Sequence, residues 1–308
     1  MRCVGLCLIV ALSQRPVDAT LQAVDVEQLL TRFVATTEEY DKTFRNLVAE
    51  ETKVLETFEA SGHVDKRRQI VSDLLVYRSS RGATDATTEF RDVRSVDGKA
   101  VNRRGERAFK LLTDASKKDS LQKELETIKR ETRKYEFNFH LQGFTISQPA
   151  GRWLKPPHEA YQVEVVGREE IAGHEVVVLN YRQTVPRPGW NRPGNLPKEL
   201  GDVSGSLVRG RLWLDARTGQ LWREIWEQGI AHPATSEFLT MFHREASYRP
   251  SEFGILIPER IVFDMLTRFG HPKNGPPLFT LTARTTFTYG AFKRFEVATD
   301  ERVKLPGD

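Results

Sequence analysis

From Tyr161 to Val297 the chain is a succession of short runs in which apolar and polar residues alternate, each stopped by turn residues. A two-residue period sends alternate side chains to opposite faces of a strand, so such runs bury one face and pair side by side. The runs are Tyr161 to Val166, Glu175 to Thr184, Arg209 to Gly229 (a hairpin), Phe238 to Tyr248, Ile255 to Leu266, Phe279 to Tyr289 and Phe292 to Val297. Ala172-Gly173 joins the first two, and Asp215-Ala216-Arg217-Thr218-Gly219 closes the hairpin, with Gly219 able to take the left-handed position that such a loop requires. Short connections between consecutive strands make antiparallel neighbours, so this half of the chain predicts one antiparallel sheet or an open barrel.

Upstream, Gln69 to Arg78 reads as a strand, and Thr87 to Val96, Asp97-Gly98 and Lys99 onward read as a hairpin, since Asp-Gly suits a type I′ turn. Phe139 to Ile146 is a further candidate strand. Two segments carry a helical period instead. Asp25 caps a helix expected to run to about Ala60, with Val26, Leu29, Leu30, Phe33, Tyr40, Phe44, Leu47, Val48, Val54 and Phe58 as its stripe, a break near Thr36-Thr37 and Gly62 as its stop. Ser116 to Lys134 is the second, striped by Leu121, Leu125 and Ile128. Arg187 to Gly205, with Pro188, Pro193 and Pro197, reads as a long irregular loop. The expected organisation is therefore α+β: an N-terminal helical segment over residues 20–62, then a sheet domain over 63–308 with an inserted helix at 116–135 and a Pro-rich loop at 187–205.

The first residues read as a secretory signal. Arg2 precedes the apolar run Cys3 to Leu12, and Val17-Asp18-Ala19 fits a cleavage site after Ala19. Leu6 before Cys7 does not suit a lipid-modification site. Both cysteines, Cys3 and Cys7, fall inside the removed segment, so the exported chain is expected to rest on its core without disulfides. This points to the periplasm or the cell exterior. With 46 basic against 42 acidic residues the surface is mixed and does not suit nucleic acid, and no apolar run approaches the ~20 residues of a membrane span.

Chemistry-bearing motifs are sparse. The seven histidines show no His-x-x-x-Glu or His-Glu-x-x-His pattern, no Gly-x-Ser-x-Gly elbow or phosphate loop occurs, and Asp215 lacks the contiguous Asp-Thr/Ser-Gly of an aspartic protease, so it reads as a turn residue satisfying backbone N–H groups. No catalytic residue, metal ligand or cofactor is expected. The hairpin with Trp213, Trp222 and Trp226 admits three readings: cross-strand packing, an apolar-ligand lining, or a platform for sugar. Arg211, Trp213 and Asp215 share one face of its first strand. The alternate set Leu212, Leu214, Leu221 and Ile225, with Ile261, Phe263 and Met265 from a later strand, forms the candidate wall of a ligand cavity.

Several passages together resemble the periplasmic lipoprotein-carrier (LolA/LolB-like) superfamily: Val165-Val166-Gly167-Arg168-Glu169-Glu170-Ile171-Ala172-Gly173-His174 leading into Val176-Val177-Val178-Leu179; Gly210-Arg211-Leu212-Trp213-Leu214-Asp215 with Thr218-Gly219 and Leu221-Trp222-Arg223-Glu224; and Gly254-Ile255-Leu256-Ile257-Pro258-Glu259-Arg260-Ile261. The resemblance covers roughly Phe137 to Val303. It implies a strongly curved antiparallel half-barrel cupping helices, and a space between them for acyl chains or a partner. The leading expectation is a non-enzymatic exported protein that binds a lipid or lipidated protein, with transient envelope contact. A protein-binding or envelope-stress sensing module is the second reading, and a hydrolase or carbohydrate-active protein with a scattered site the third.

Overall fold

The computed structural model describes residues 25–78, 87–101, 121–136, 146, 151, 154, 160–185, 205–232, 236–270 and 278–294. The expected signal segment at 1–19, nearly all of the candidate strand at 139–146 and nearly all of the expected Pro-rich loop at 187–205 lie outside the described residues.

Two helices and twelve strands are described: α1 (Val26–Thr43), β1 (Leu47–Phe58), β2 (Val64–Arg78), β3 (Thr87–Val96), β4 (Lys99–Ala100), α2 (Leu121–Arg133), β5 (Tyr161–Ile171), β6 (His174–Gln183), β7 (Leu207–Asp215), β8 (Leu221–Ala231), β9 (Phe238–Pro250), β10 (Leu256–Gly270), β11 (Leu278–Tyr289) and β12 (Lys293–Arg294). All strands belong to one open antiparallel sheet in the order β4-β3-β2-β1-β11-β10-β9-β8-β7-β6-β5, with β12 beside β1. The fold is α+β, as the strand runs and the two helical stripes predict. Two meanders build it: β1 to β4 run outward to one edge, and β5 to β11 start at the other edge and return to meet β1. The expected turns are present, with positive φ at Asp97, Gly98, Ala172, Gly173 and Gly219.

The N-terminal segment departs from expectation. α1 is capped as predicted, the Asp25 carboxylate accepting from the Gln28 amide at 3.0 Å, but it is 18 residues long and ends at Thr43. It runs unbroken through Thr36 and Thr37, whose hydroxyls donate to the Phe33 carbonyl. Phe44 leaves helical geometry, Asn46 takes φ 54°, and residues 47–58 form β1, not the rest of a helix. The physical reason is the inner side of that strand: Leu47, Ala49, Glu51, Lys53 and Leu55 alternate inward and all are buried, so two charges interrupt what would otherwise read as a period of two. Gly62 then serves the β1–β2 turn at φ 85°.

Both helices lie on one face of the sheet, here the inner face. On α1, Leu29, Leu30, Phe33 and Tyr40 are buried in the main core with Leu212, Leu179, Ile261 and Phe287. α2 sits against β3, where the Thr132 hydroxyl donates to the Arg91 carbonyl. Three fixed points of the α2–β5 connection also lie here. Ile146 accepts from the Tyr40 hydroxyl at 3.1 Å and donates its amide to Glu89 at 2.7 Å. Gly151 stands against Leu212 and Phe33, where an added Cβ would come within 3.1–3.3 Å of both side chains. Leu154 is fully buried.

Candidate functional site

Strand register assigns each candidate residue to a face. In antiparallel sheets, directly opposed residues point the same way. On the inner face one transverse row reads Leu212, Glu224, Ala246, Ile261, Phe287, Lys53 from β7 to β1. The next reads Gly210, Trp226, Arg244, Phe263, Thr285, Leu55, and the one after it Gln228, Phe242, Met265, Ala283 from β8 to β11.

The seven residues read as a cavity wall therefore separate into three groups. Leu212, Leu214, Leu221 and Ile261 lie under α1 and are buried, the first two and Ile261 completely. Phe263 and Met265 share that face further along the strands and are half-buried. Ile225 stands opposite Arg211 on the outer face, half-buried and packed against the main core cluster from there. Its placement follows from one irregularity. Leu214 faces Leu221 but Trp213 faces Arg223, so Trp222 is an extra residue in β8 and the parity of the strand reverses after it. A bulge of this kind cannot be read from alternation alone. Trp222 packs its ring 4.9 Å from His174. Trp213 faces outward, donating to Glu169 at 3.0 Å beneath the Arg223 guanidinium. Trp226 faces inward.

On β8, β9 and β10 the inner face carries the half-buried apolar residues Trp226, Phe242, Phe263 and Met265, the rings of Phe242 and Phe263 lying 6.0 Å apart, and on the edge strand β5 it carries half-buried Tyr161, Val163 and Val165. The first of these sets begins where the cover of α1 gives way. A pocket of about 80 Å³ lies between α1 and the β7–β8 and β9–β10 turns, lined by Phe33, Thr36, Tyr40, Leu221, Tyr248 and Ile255. That is well below the ~300–1,000 Å³ of small-molecule sites, so the space directly beneath α1 is filled by the protein's own side chains.

The sequence reading missed a band of buried charge between these zones. Glu224, fully buried, accepts from Arg244 and, at 2.9 Å, from the Tyr248 hydroxyl. Glu51, also fully buried, takes Arg91 through both carboxylate oxygens at 2.8 and 3.0 Å, and Arg91 also reaches Glu89 at 3.0 Å. Lys53 pairs with Glu136, just past α2, at 2.5 Å. Burial pushes the Tyr40, Tyr248 and Tyr289 hydroxyls above their ordinary range, so all three stay neutral, with Tyr40 donating to the Ile146 carbonyl and Tyr248 to Glu224. Burying a charge is tolerated only when it is paired and hydrogen-bonded, and the partners here come from strands and loops remote in sequence.

The outer face carries a different pattern. Arg209, Glu227, His243, Asp264, Arg284, Glu56 and Arg67 stand opposite one another across seven strands. Their signs alternate when His243 is protonated. Arg209 meets Glu227 at 2.5 Å, His243 meets Glu227 at 3.4 Å, and Arg284 grips Asp264 at 2.7 and 2.8 Å. The bond to Glu227 holds the His243 imidazole above its usual pKa against the opposing effect of burial. A second imidazole, His174, lies 3.0 Å from Asp215, which also accepts from the Arg217 and Thr218 amides at 2.9 and 2.7 Å, the turn role expected of it. Burial alone would raise the Asp215 pKa; these bonds outweigh it and hold the carboxyl low. Both carboxylates are thus committed to holding strands and turns. Among the described residues no cluster of three or more His, Cys, Asp or Glu is arranged to hold a metal ion, and no helix is long and apolar enough to cross a membrane.

No protein-family model and no curated protein matches the sequence. Similar solved structures include a DUF1329 family protein from Desulfovibrio piger (10% identity, 88% of this chain and 94% of that one, TM-score 0.31). A LolA superfamily protein from Nitrosomonas europaea is another (11%, 85% and 93%, TM-score 0.27). A third is a domain described as an outer membrane lipoprotein-sorting protein from Vibrio parahaemolyticus (10%, 87% and 93%, TM-score 0.30). The superfamily that the hairpin patterns resemble is thus among the structures similar to this chain. At these identities and TM-scores none of them assigns a role to a residue here.

Proposed function

We propose that this chain is an exported, non-enzymatic binding protein that holds an acyl chain, free or attached to a protein, against the inner face of its sheet. The observation that carries this reading is the half-buried set Trp226, Phe242, Phe263 and Met265, four large apolar side chains gathered on the face that also carries α1 and α2. Each methylene buried there contributes about 0.8 kcal/mol, so a chain of eight to ten methylenes gains on the order of 6–8 kcal/mol before the cost of its ordering. The buried residues Leu212, Leu214, Leu221 and Ile261 serve as the support behind this surface. Ile225 plays no part in it.

The test is titration with diphenylhexatriene, an apolar fluorophore without a polar head, together with native mass spectrometry of protein purified from its own envelope fraction. Saturable, micromolar fluorophore binding and co-purified lipid support the reading. A parent protein that binds no fluorophore and carries no lipid overturns it, in favour of a module that binds protein.

A further inference from the structure

The sheet ends differently at its two edges. At one, β4 is two residues long and α2 lies against β3; a short edge strand and a covering helix keep an edge from pairing with another chain. At the other stands β5, eleven residues long, and among the described residues no strand pairs with its far side. The stretch Tyr161-Gln162-Val163-Glu164-Val165 carries neither Pro nor Lys, the residues that commonly block an edge. One bond fixes which way its backbone groups point. The Thr184 amide donates to the Ala160 carbonyl at 2.9 Å, one step beyond the Tyr161–Gln183 pair of the β5–β6 register. In an antiparallel pair, residues that exchange bonds alternate with residues whose N–H and C=O point away. Gln162 and Glu164 therefore bond to β6, while Tyr161, Val163 and Val165 turn their backbone groups outward from the sheet. The regular stretch stops at Val166, an extra residue in β5 that is 45% exposed.

From this edge we infer that β5 pairs with β5 of a second copy of this chain, antiparallel and centred on Val163, so that two sheets join into one. Backbone direction selects the register. Only a residue whose groups point outward can sit on the two-fold axis, which leaves Tyr161, Val163 and Val165, and Val163 alone keeps the whole regular stretch paired before the bulge at Val166. This register sets Val163 opposite Val163 and Tyr161 opposite Val165, so half-buried residues of the two inner faces meet as apolar cross-strand pairs. On the outer face it sets Gln162 opposite Glu164, both exposed. The Gln162 side-chain oxygen already accepts from Arg182 at 2.6 Å, and its NH2 group then donates to the partner's Glu164. A register centred on Glu164 would oppose two carboxylates and would need backbone groups that β6 already uses. α1 is fastened at the other end of β5, where Arg32 reaches the Ala216 carbonyl and the Ala216 amide reaches Glu175, which stands opposite Glu170. The inference goes beyond the acyl-chain reading and does not depend on it.

Sedimentation equilibrium of the exported protein, from low micromolar to sub-millimolar concentration, is expected to show a reversible monomer–dimer equilibrium, since so short a pairing makes a weak interface. Val163→Pro removes the N–H at the centre of the pairing and none that β6 uses. Pro is tolerated where the N–H faces away from the neighbouring strand, so this variant is expected to stay folded by circular dichroism and to weaken dimerisation by about tenfold or more. Gln162→Cys and Glu164→Cys, both at exposed positions, report the register. Mixed under mild oxidation they should form a disulfide-linked dimer, because opposed positions that exchange no backbone bonds lie about 4.5 Å apart at Cα, within disulfide reach; each variant alone should not. A folded Val163→Pro variant that dimerises like the parent overturns the inference, as do cysteine variants that cross-link no faster mixed than apart. A parent that stays monomeric throughout also overturns it and leaves the edge to an extended segment of another protein. Should Val163→Pro not fold, the cysteine pair decides alone.

Discussion

Arg244 and Glu224 form an ion pair that the fold closes from water, 5% and 0% exposed, with the Tyr248 hydroxyl completing the carboxylate's hydrogen bonds. The pair stands where the α1-covered core gives way to the half-buried apolar stretch, and it joins β8 to β9 at that boundary. Removing one partner strands the other charge in the interior. Arg244→Leu should lower unfolding free energy by about 3–5 kcal/mol, while the double change Arg244→Leu with Glu224→Leu should recover much of that loss. Urea melts of the three proteins decide it; equal losses in single and double variants would show that the charges are not coupled.

Phe263 and Ile261 are two residues apart on β10 and face the same way, but Phe263 is half-buried and Ile261 is 0% exposed. Phe263→Glu should leave the chain folded and abolish binding of diphenylhexatriene, because an ionised carboxylate on the apolar stretch must be desolvated for the ligand to settle. Ile261→Glu should unfold the protein. Circular dichroism and the fluorophore titration separate the two outcomes. A folded Phe263→Glu variant with the parent's affinity would move the ligand elsewhere.

Leu47 opens β1 and is fully buried among Leu29, Phe44 and Val76 in the main core. Leu47→Ala should destabilise by roughly 2–5 kcal/mol, measured by denaturant melts. A loss under about 0.5 kcal/mol would mean that the site collapses around the missing atoms.

His243 provides the pH dependence. Its pKa in the folded chain is raised, first by the bond to Glu227 and then by the charges of Glu227, Asp264 and Glu245, against the opposing effect of burial. Arg209 and Arg284 lie one strand further out on either side and offset part of that charge. A raised histidine pKa means that the folded state holds the proton more tightly. The resulting stabilisation is fully present below the unfolded value near 6.5 and is lost as pH rises through the folded pKa. Relative to the parent, His243→Gln should therefore lose more melting temperature at pH 5.5 than at pH 8.5. A difference between the two proteins that does not change with pH would refute the linkage.

The strand runs, hairpin turns and both helix sites are legible in the sequence because each is encoded within a dozen residues. Two errors share a different origin. β1 reads as helix because its inward positions include Glu51 and Lys53, and those charges are admissible only because Arg91 and Glu136 arrive from elsewhere in the chain. Ile225 is assigned to the wrong face because a single extra residue, Trp222, reverses the alternation, and nothing in the composition of β8 announces it. The band of buried charge was missed for the same reason: Glu224, Arg244 and Tyr248 look like surface residues until register aligns them. The signal that was available is that Arg244 and Tyr248 share the parity of Phe242 and Ala246 on β9, and Glu224 that of Trp226 on β8.

One pairing in the sheet bears on how the chain comes to be made. β1 is joined to the return meander by lying beside β11, with Glu51 opposite Tyr289 and Thr57 opposite Ala283. Every other strand of that meander can find its neighbour as soon as it is synthesised, but the first strand of the chain has to wait for almost the last. Until Leu278–Tyr289 has left the ribosome, the β1–β4 meander has no seat, and one wing of the sheet ends in an open edge. A polypeptide with this wiring cannot complete its sheet early in synthesis, and closure of the sheet is deferred until the far end of the chain has arrived.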